Sequence, residues 1–96
     1  MDLGFSVRSV DGALAQMLGL RRTAGVVVVE LLDRGAAARA GLEIGDLIYE
    51  VNGSSIKDLE DARMAFHSLM AGDRVNIKVE HAGKDVTLSF DVTELK

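Results

Sequence analysis

The sequence predicts an α+β fold, and three observations carry that expectation. Residues 24–32, "AGVVVVELL", form an unbroken β-branched run of strand length. Two cleanly alternating runs, "RVNIKVE" at 74–80 and "DVTLSFDV" at 85–92, are joined by the short turn "HAGK". Between these strands lie helical segments with their own start and stop signals, in an order that lacks regular βαβ crossovers.

The elements follow in chain order. "GFSVRSV" at 4–10 alternates Phe5 and Val7 with Ser6, Arg8 and Ser9, a half-buried strand. "DGALAQMLGL" at 11–20 opens with Asp11 as N-cap, places Leu14, Met17 and Leu18 on one face, and stops at Gly19. The run at 24–32 reads as a central strand buried on both faces. "GAAARAG" at 35–41 is a short alanine helix closed by Gly41. "DLIYEVNGSSI" at 46–56 carries a strand, and Asn52-Gly53 supplies the positive-φ pair of a tight turn. Asp58 with Asp61 three residues on resembles a capping box and begins the longest helix, expected to run to about Met70. The final two runs make a hairpin, with Val75, Ile77, Val79, Val86, Leu88, Phe90 and Val92 facing inward.

The chain has 96 residues, which suits one domain over 1–96 and is too short for two cores. Its 48% hydrophobic and 27% charged residues are those of an ordinary globular protein, so it is expected to fold alone. A net charge of −4 with scattered Lys and Arg argues against nucleic acid. No apolar run reaches membrane-spanning length and no signal-peptide pattern opens the chain, so neither membrane contact nor a leader is expected. Met1 leading directly into apparent structure suggests a piece of something longer. With no cysteine, disulfides and thiolate metal sites are excluded, and the compartment is not readable.

The search for chemistry returns structural readings. Ser54, Ser55, Asp58, His67 and His81 are the residue types of a hydrolytic triad, yet no serine lies in a G-x-S-x-G elbow and His81 sits in a polar turn. Two isolated histidines without H-x-x-x-H spacing do not announce a metal site, so neither metal nor cofactor is expected. Gly41 and Gly45 in "GLEIGD" lack the G-K-[ST] ending of a phosphate loop and read as turn residues.

Residues 37–53 carry A-x-x-A-G-L-x-x-G-D-x-I-x-x-[VI]-N-G, a helix follows Ile56, and G-D-x-[VI]-x-[VI]-x-[VI] follows Met70. This stretch resembles a PDZ domain of the bacterial type found behind the protease domain of HtrA-family serine proteases. The resemblance implies five to six antiparallel strands in a sandwich or partly open barrel, capped by two main helices. It implies a peptide-binding module without catalysis, reading hydrophobic C-termini and recruiting substrate to, or regulating, an attached protease. It also gives the apolar opening "DLGFSV" a purpose. In such domains an apolar-glycine-apolar loop binds a terminal carboxylate, and here the matching residues are Leu3, Gly4 and Phe5. A bare glycine lets consecutive N–H groups converge on an anion. The strand from Phe5 through Ser6 to Val7 would then accept an extended peptide as an extra strand. The matching helix positions are Ala62, Ala65 and Phe66, with Arg63 nearby. The partner implied is a C-terminal or extended peptide of another protein, and the parent implied is periplasmic or membrane-associated. The competing expectation is a structural or regulatory packing module of a multidomain protease or secretion protein, with no free-peptide ligand.

Overall fold

The computed structural model describes residues 4–70 and 72–92. Strand β1 spans Phe5–Ser9, helix α1 Gly12–Met17, β2 Val26–Leu31, α2 Ala36–Arg39 and β3 Leu47–Val51. A two-residue strand β4, Ser54–Ser55, precedes helix α3, Leu59–His67, and the chain closes with β5, Arg74–His81, and β6, Lys84–Asp91. The strands form one antiparallel sheet in the order β1-β2-β3-β5-β6, with β4 paired to β3, and the sheet is not closed into a barrel. No helix among the described residues is long and apolar enough to cross a membrane.

The caps lie where the sequence puts them. The Asp11 side chain accepts the Leu14 N–H at 2.7 Å, and the Asp58 side chain accepts the Asp61 N–H at 3.0 Å. Asp61 returns the favour by accepting the Lys57 N–H at 3.0 Å, so the start of α3 is fixed from both sides. Asn52 and Gly53 both have positive φ, 48° and 86°, as the tight turn between β3 and β4 requires. The helix ends differ from expectation. α1 buries Ala15 and leaves Met17 81% exposed, so its inner face is Ala15 flanked by Leu14 and Leu18. α3 stops at His67 rather than near Met70, because the Asp73 carboxylate accepts the Met70 N–H at 2.8 Å and draws the chain into a turn.

The core joins Val26, Val28, Ile48, Val51, Val75, Ile77, Val79 and Phe90 of the sheet to Ala62 of α3 and Ala37 of α2. Burial on both faces holds for Val26 to Val28 and fails at Val29, which is 39% exposed. The register explains the change: Ser6 pairs with Glu30 and Val7 with Val28, so Val29 is the extra residue of a bulge. Past this point β2 has β1 alone as a paired neighbour. Val86, expected inward, is 41% exposed.

Candidate functional site

β1 is one of the two outer strands of the sheet and, among the described residues, pairs with β2 along one edge only, so its other edge is a template for an added strand. α3 packs against β1, so that edge and the helix are the two elements between which the groove is expected. Alternation along β1 turns Phe5 and Val7 half inward and leaves Ser6, Arg8 and Ser9 exposed. The Phe5 ring meets Phe66 of α3 edge to face at 5.6 Å and Phe90 of β6 at 6.4 Å, geometries that aromatic quadrupoles favour. Phe5, Val7, Ala65 and Phe66 are all half-buried against the core, so each keeps some exposed apolar surface.

Helix and strand are tied at one end of the groove by a residue the sequence did not single out. The Ser9 hydroxyl accepts the Leu59 N–H at 2.9 Å, satisfying a donor in the first turn of α3 that has no partner within the helix. The two residues are 50 apart in sequence, so no local pattern signals the pair.

At the other end lies Gly4, buried and with φ of +83°. Its carbonyl accepts the Leu32 N–H at 2.8 Å, which fixes the loop against the end of β2. A Cβ placed on Gly4 would sit 3.8 Å from the Leu32 Cβ and 3.9 Å from the Gly35 Cα, ordinary contact distances. Glycine is therefore required by backbone conformation rather than by crowding. A cavity of about 260 Å³ lies beside this loop, lined by Gly4, Phe5, Ser6, Glu30, Leu31 and Leu32. Leu3, the other expected loop residue, lies outside the described residues.

Ala62 differs from the other expected groove residues. It is 1% exposed and packs in the core, whereas Ala65 and Phe66 are half-buried. The triad residue types are scattered. Ser54 and Ser55 form β4, Asp58 caps α3, His67 ends α3, and His81 contacts Asp46 and Glu43. Among the described residues neither histidine hydrogen-bonds a serine.

A buried charge network lies at the opposite end of the sheet. Glu80 is fully buried, accepts the Arg21 N–H at 2.5 Å and pairs with Arg22 Nη1 at 2.7 Å. Arg22 also bonds Asp85 at 2.7 Å and stacks over the Tyr49 ring at 3.8 Å. The Asp85 hydrogen bond leads the causes that raise the Arg22 pKa above its ordinary value, and the same bond lowers that of Asp85.

Comparison with known proteins agrees with this geometry. A family profile for the PDZ domain matches residues 1–92. A probable periplasmic serine endoprotease, DegP-like, of Pseudomonas fluorescens is 37% identical over 90 residues, covering 94% of this chain and 19% of that protein. A DegP-like counterpart from Chlamydia trachomatis is 30% identical over 93 residues, covering 97% and 19%. The chain thus spans about a fifth of the length of these relatives. Among solved structures, the HtrA-type protease AlgW with a decapeptide superposes with TM-score 0.83 at 32% identity, covering 99% of this chain and 29% of that one. The HtrA3 PDZ domain bound to a phage-derived ligand, FGRWV, superposes with TM-score 0.77 at 21% identity, covering 94% and 82%, a likeness of fold. What matches in the proteases is their non-catalytic module, and with the profile covering nearly the entire sequence, this chain belongs to the PDZ domain family.

Proposed function

We propose that residues 1–96 act as one peptide-binding domain that takes the C-terminal segment of another protein as an extra strand along β1. The observation that carries this reading is the open edge of β1 beside the half-buried pair Phe5 and Phe66, with Gly4 at positive φ at the loop end. The last side chain of the peptide, apolar, lies against Phe5, Val7, Ala65 and Phe66, none of which offers a charge. Its carboxylate is received by the backbone of the loop at Leu3, Gly4 and Phe5. The decapeptide of the AlgW structure and the FGRWV ligand of the HtrA3 domain support a peptide partner. In a parent resembling the DegP-like relatives, this module would recruit substrate to, or regulate, an attached serine protease in the periplasm.

The energetics suit a reversible reader. Strand hydrogen bonds at ~1 kcal/mol each and apolar contacts at roughly 2 kcal/mol each, offset by association and ordering costs, leave a modest and reversible affinity. Charge-assisted bonds to a carboxylate contribute about 1.5–3 kcal/mol, a large share of that total. Titration of one apolar-ended peptide as free acid and as amide tests the reading. The amide should bind roughly ten- to a hundredfold more weakly, by the same carboxylate term. Equal binding of the two forms would overturn C-terminal recognition, and failure of both would favour a packing module without a free-peptide ligand.

A further inference from the structure

Away from the groove, three side chains from two distant segments meet where the turn before β3 touches the end of β5. Asp46 is 1% exposed, and its Oδ1 lies 2.5 Å from His81 Nδ1. Glu43 Oε2 lies 3.2 Å from the other ring nitrogen, Nε2. One ligand atom from each of the three residues can be chosen so that all lie within 4.8 Å of one another. The turn that carries the carboxylates is closed on itself: the Glu43 N–H donates to Asp46 Oδ2 at 2.9 Å, and the Asp46 N–H donates to the Glu43 carbonyl at 3.1 Å.

We propose that His81 Nε2 and Glu43 Oε2 form an open site for one Zn²⁺ ion, with buried Asp46 as the carboxylate that orients the imidazole. A metal-ligating histidine characteristically donates its other ring N–H to a carboxylate, which fixes the tautomer and makes the ligating nitrogen more basic. Asp46 is placed to do this at Nδ1, leaving the Nε2 lone pair directed toward Glu43. With metal–ligand bonds of about 2.0 Å, two ligand atoms of a tetrahedral site stand roughly 3.3 Å apart, close to the separation of Nε2 and Oε2. Imidazole with carboxylate is a donor set that suits Zn²⁺ rather than Mg²⁺, which prefers all-oxygen octahedra.

The surroundings agree. His81 and Glu43 side chains are 48% and 62% exposed, so the remaining coordination positions face solvent and are open to water or to a donor from a bound partner. A cavity of about 230 Å³ adjoins both residues, floored by Val79, Val86 and Leu88. The charged groups facing the ring are Asp46, Glu43 and, opposing them, Lys84; with neutral imidazole the sum is negative and attracts a cation.

Calorimetric titration of the EDTA-treated, dialysed protein with ZnCl₂ near pH 7.5 tests the proposal. One-to-one saturable binding is expected, weakened at least tenfold in His81→Ala and in Glu43→Gln and unchanged in His67→Ala. Asp46→Asn should weaken it by roughly 10- to 100-fold, as loss of an orienting carboxylate does. Circular dichroism establishes that each variant is folded, and Glu43→Gln, on an exposed side chain, keeps the test decisive if Asp46→Asn is not. Absence of saturable binding, binding indifferent to His81→Ala, or equal affinity for MgCl₂ would each overturn the site.

Discussion

The rings of Phe5 and Phe66 meet edge to face, with centroids 5.6 Å apart and planes at 82°. One belongs to an outer strand and the other to the helix facing it, so the contact closes the core and, in the proposed function, lines the groove as well. An aromatic pair of this geometry contributes about 0.5–1.5 kcal/mol beyond its burial, and truncating a half-buried Phe removes apolar area as well. Phe66→Ala should therefore lower stability by roughly 2 kcal/mol in urea unfolding and weaken an apolar-ended peptide by about tenfold. Unchanged peptide affinity in the folded variant would remove α3 from the binding site.

Gly4 makes a separable prediction, because the space around it is open while its backbone is not. At φ of +83° an L-residue is strained, by roughly 1–2 kcal/mol, and a β-branched one more so. Gly4→Val should cost about that much stability and weaken the free-acid peptide at least as much as amidation does, with a smaller effect for Gly4→Ala. If Gly4→Val binds the acid form as well as the wild type, the loop does not hold the carboxylate.

What the sequence made legible was whatever is set by neighbours in the chain. Asp11 and Asp58 announce their caps because the donors they satisfy lie three residues away. Asn52-Gly53 announces its turn because two successive residues must take positive φ. Features set by distant pairing were not legible. Glu80 follows Val79 in an alternating strand and should point to solvent, yet it is fully buried because Arg21 and Arg22, 59 and 58 residues away, fold over it. Val29 leaves the buried pattern of β2 through a bulge that depends on register with β1. The PDZ resemblance points to Ala62 as a groove residue, and its helical spacing with Phe66 is compatible with that. Spacing places residues on a helix but does not say which part of the shared face meets the core, and Ala62 lies there at 1% exposure.

Removing one partner of the buried pair is expected to be costly. Arg22→Ala leaves the Glu80 carboxylate with the Arg21 N–H as its remaining partner among the bonds described, and losing half of a buried pair typically costs about 3–5 kcal/mol. The Arg22 side chain is itself 32% exposed, so water re-enters and the lower figure, near 3 kcal/mol, is expected from urea unfolding. A loss below about 1 kcal/mol would show that Glu80 is stabilised chiefly by the backbone.

Asp85 carries the pH dependence of the same network. Its folded pKa is depressed below 3.8, chiefly by the hydrogen bond from Arg22. A depressed carboxylate stabilises the fold above its unfolded pKa, and that contribution is lost as pH falls through the folded value. Wild type and Asp85→Asn should thus differ by a constant amount at neutral pH and converge below 3.8. Melting curves collected between neutral pH and strongly acidic pH would show the convergence; a gap that persists to the acid end would mean the aspartate acts through something other than its charge.

The Ser9 hydroxyl gives the last prediction, because it joins the two walls of the groove without lining either. It accepts the N–H of Leu59 at 2.9 Å, in the first turn of α3, while Asp58 caps the same turn through the Asp61 N–H. Ser9→Ala leaves that donor to water at an exposed position, so the stability cost should be modest, about 0.5–1 kcal/mol. Its effect on binding should be larger in proportion. With the tie cut, the N-terminal end of α3 is free to shift away from β1, and a peptide must restore the spacing when it binds. A severalfold weaker affinity with a nearly unchanged melting temperature is expected, and Ser9→Thr, which keeps the hydroxyl, should restore it. Equal affinities for Ser9→Ala and wild type would mean that core packing through Ala62 and Phe66 alone sets the width of the groove.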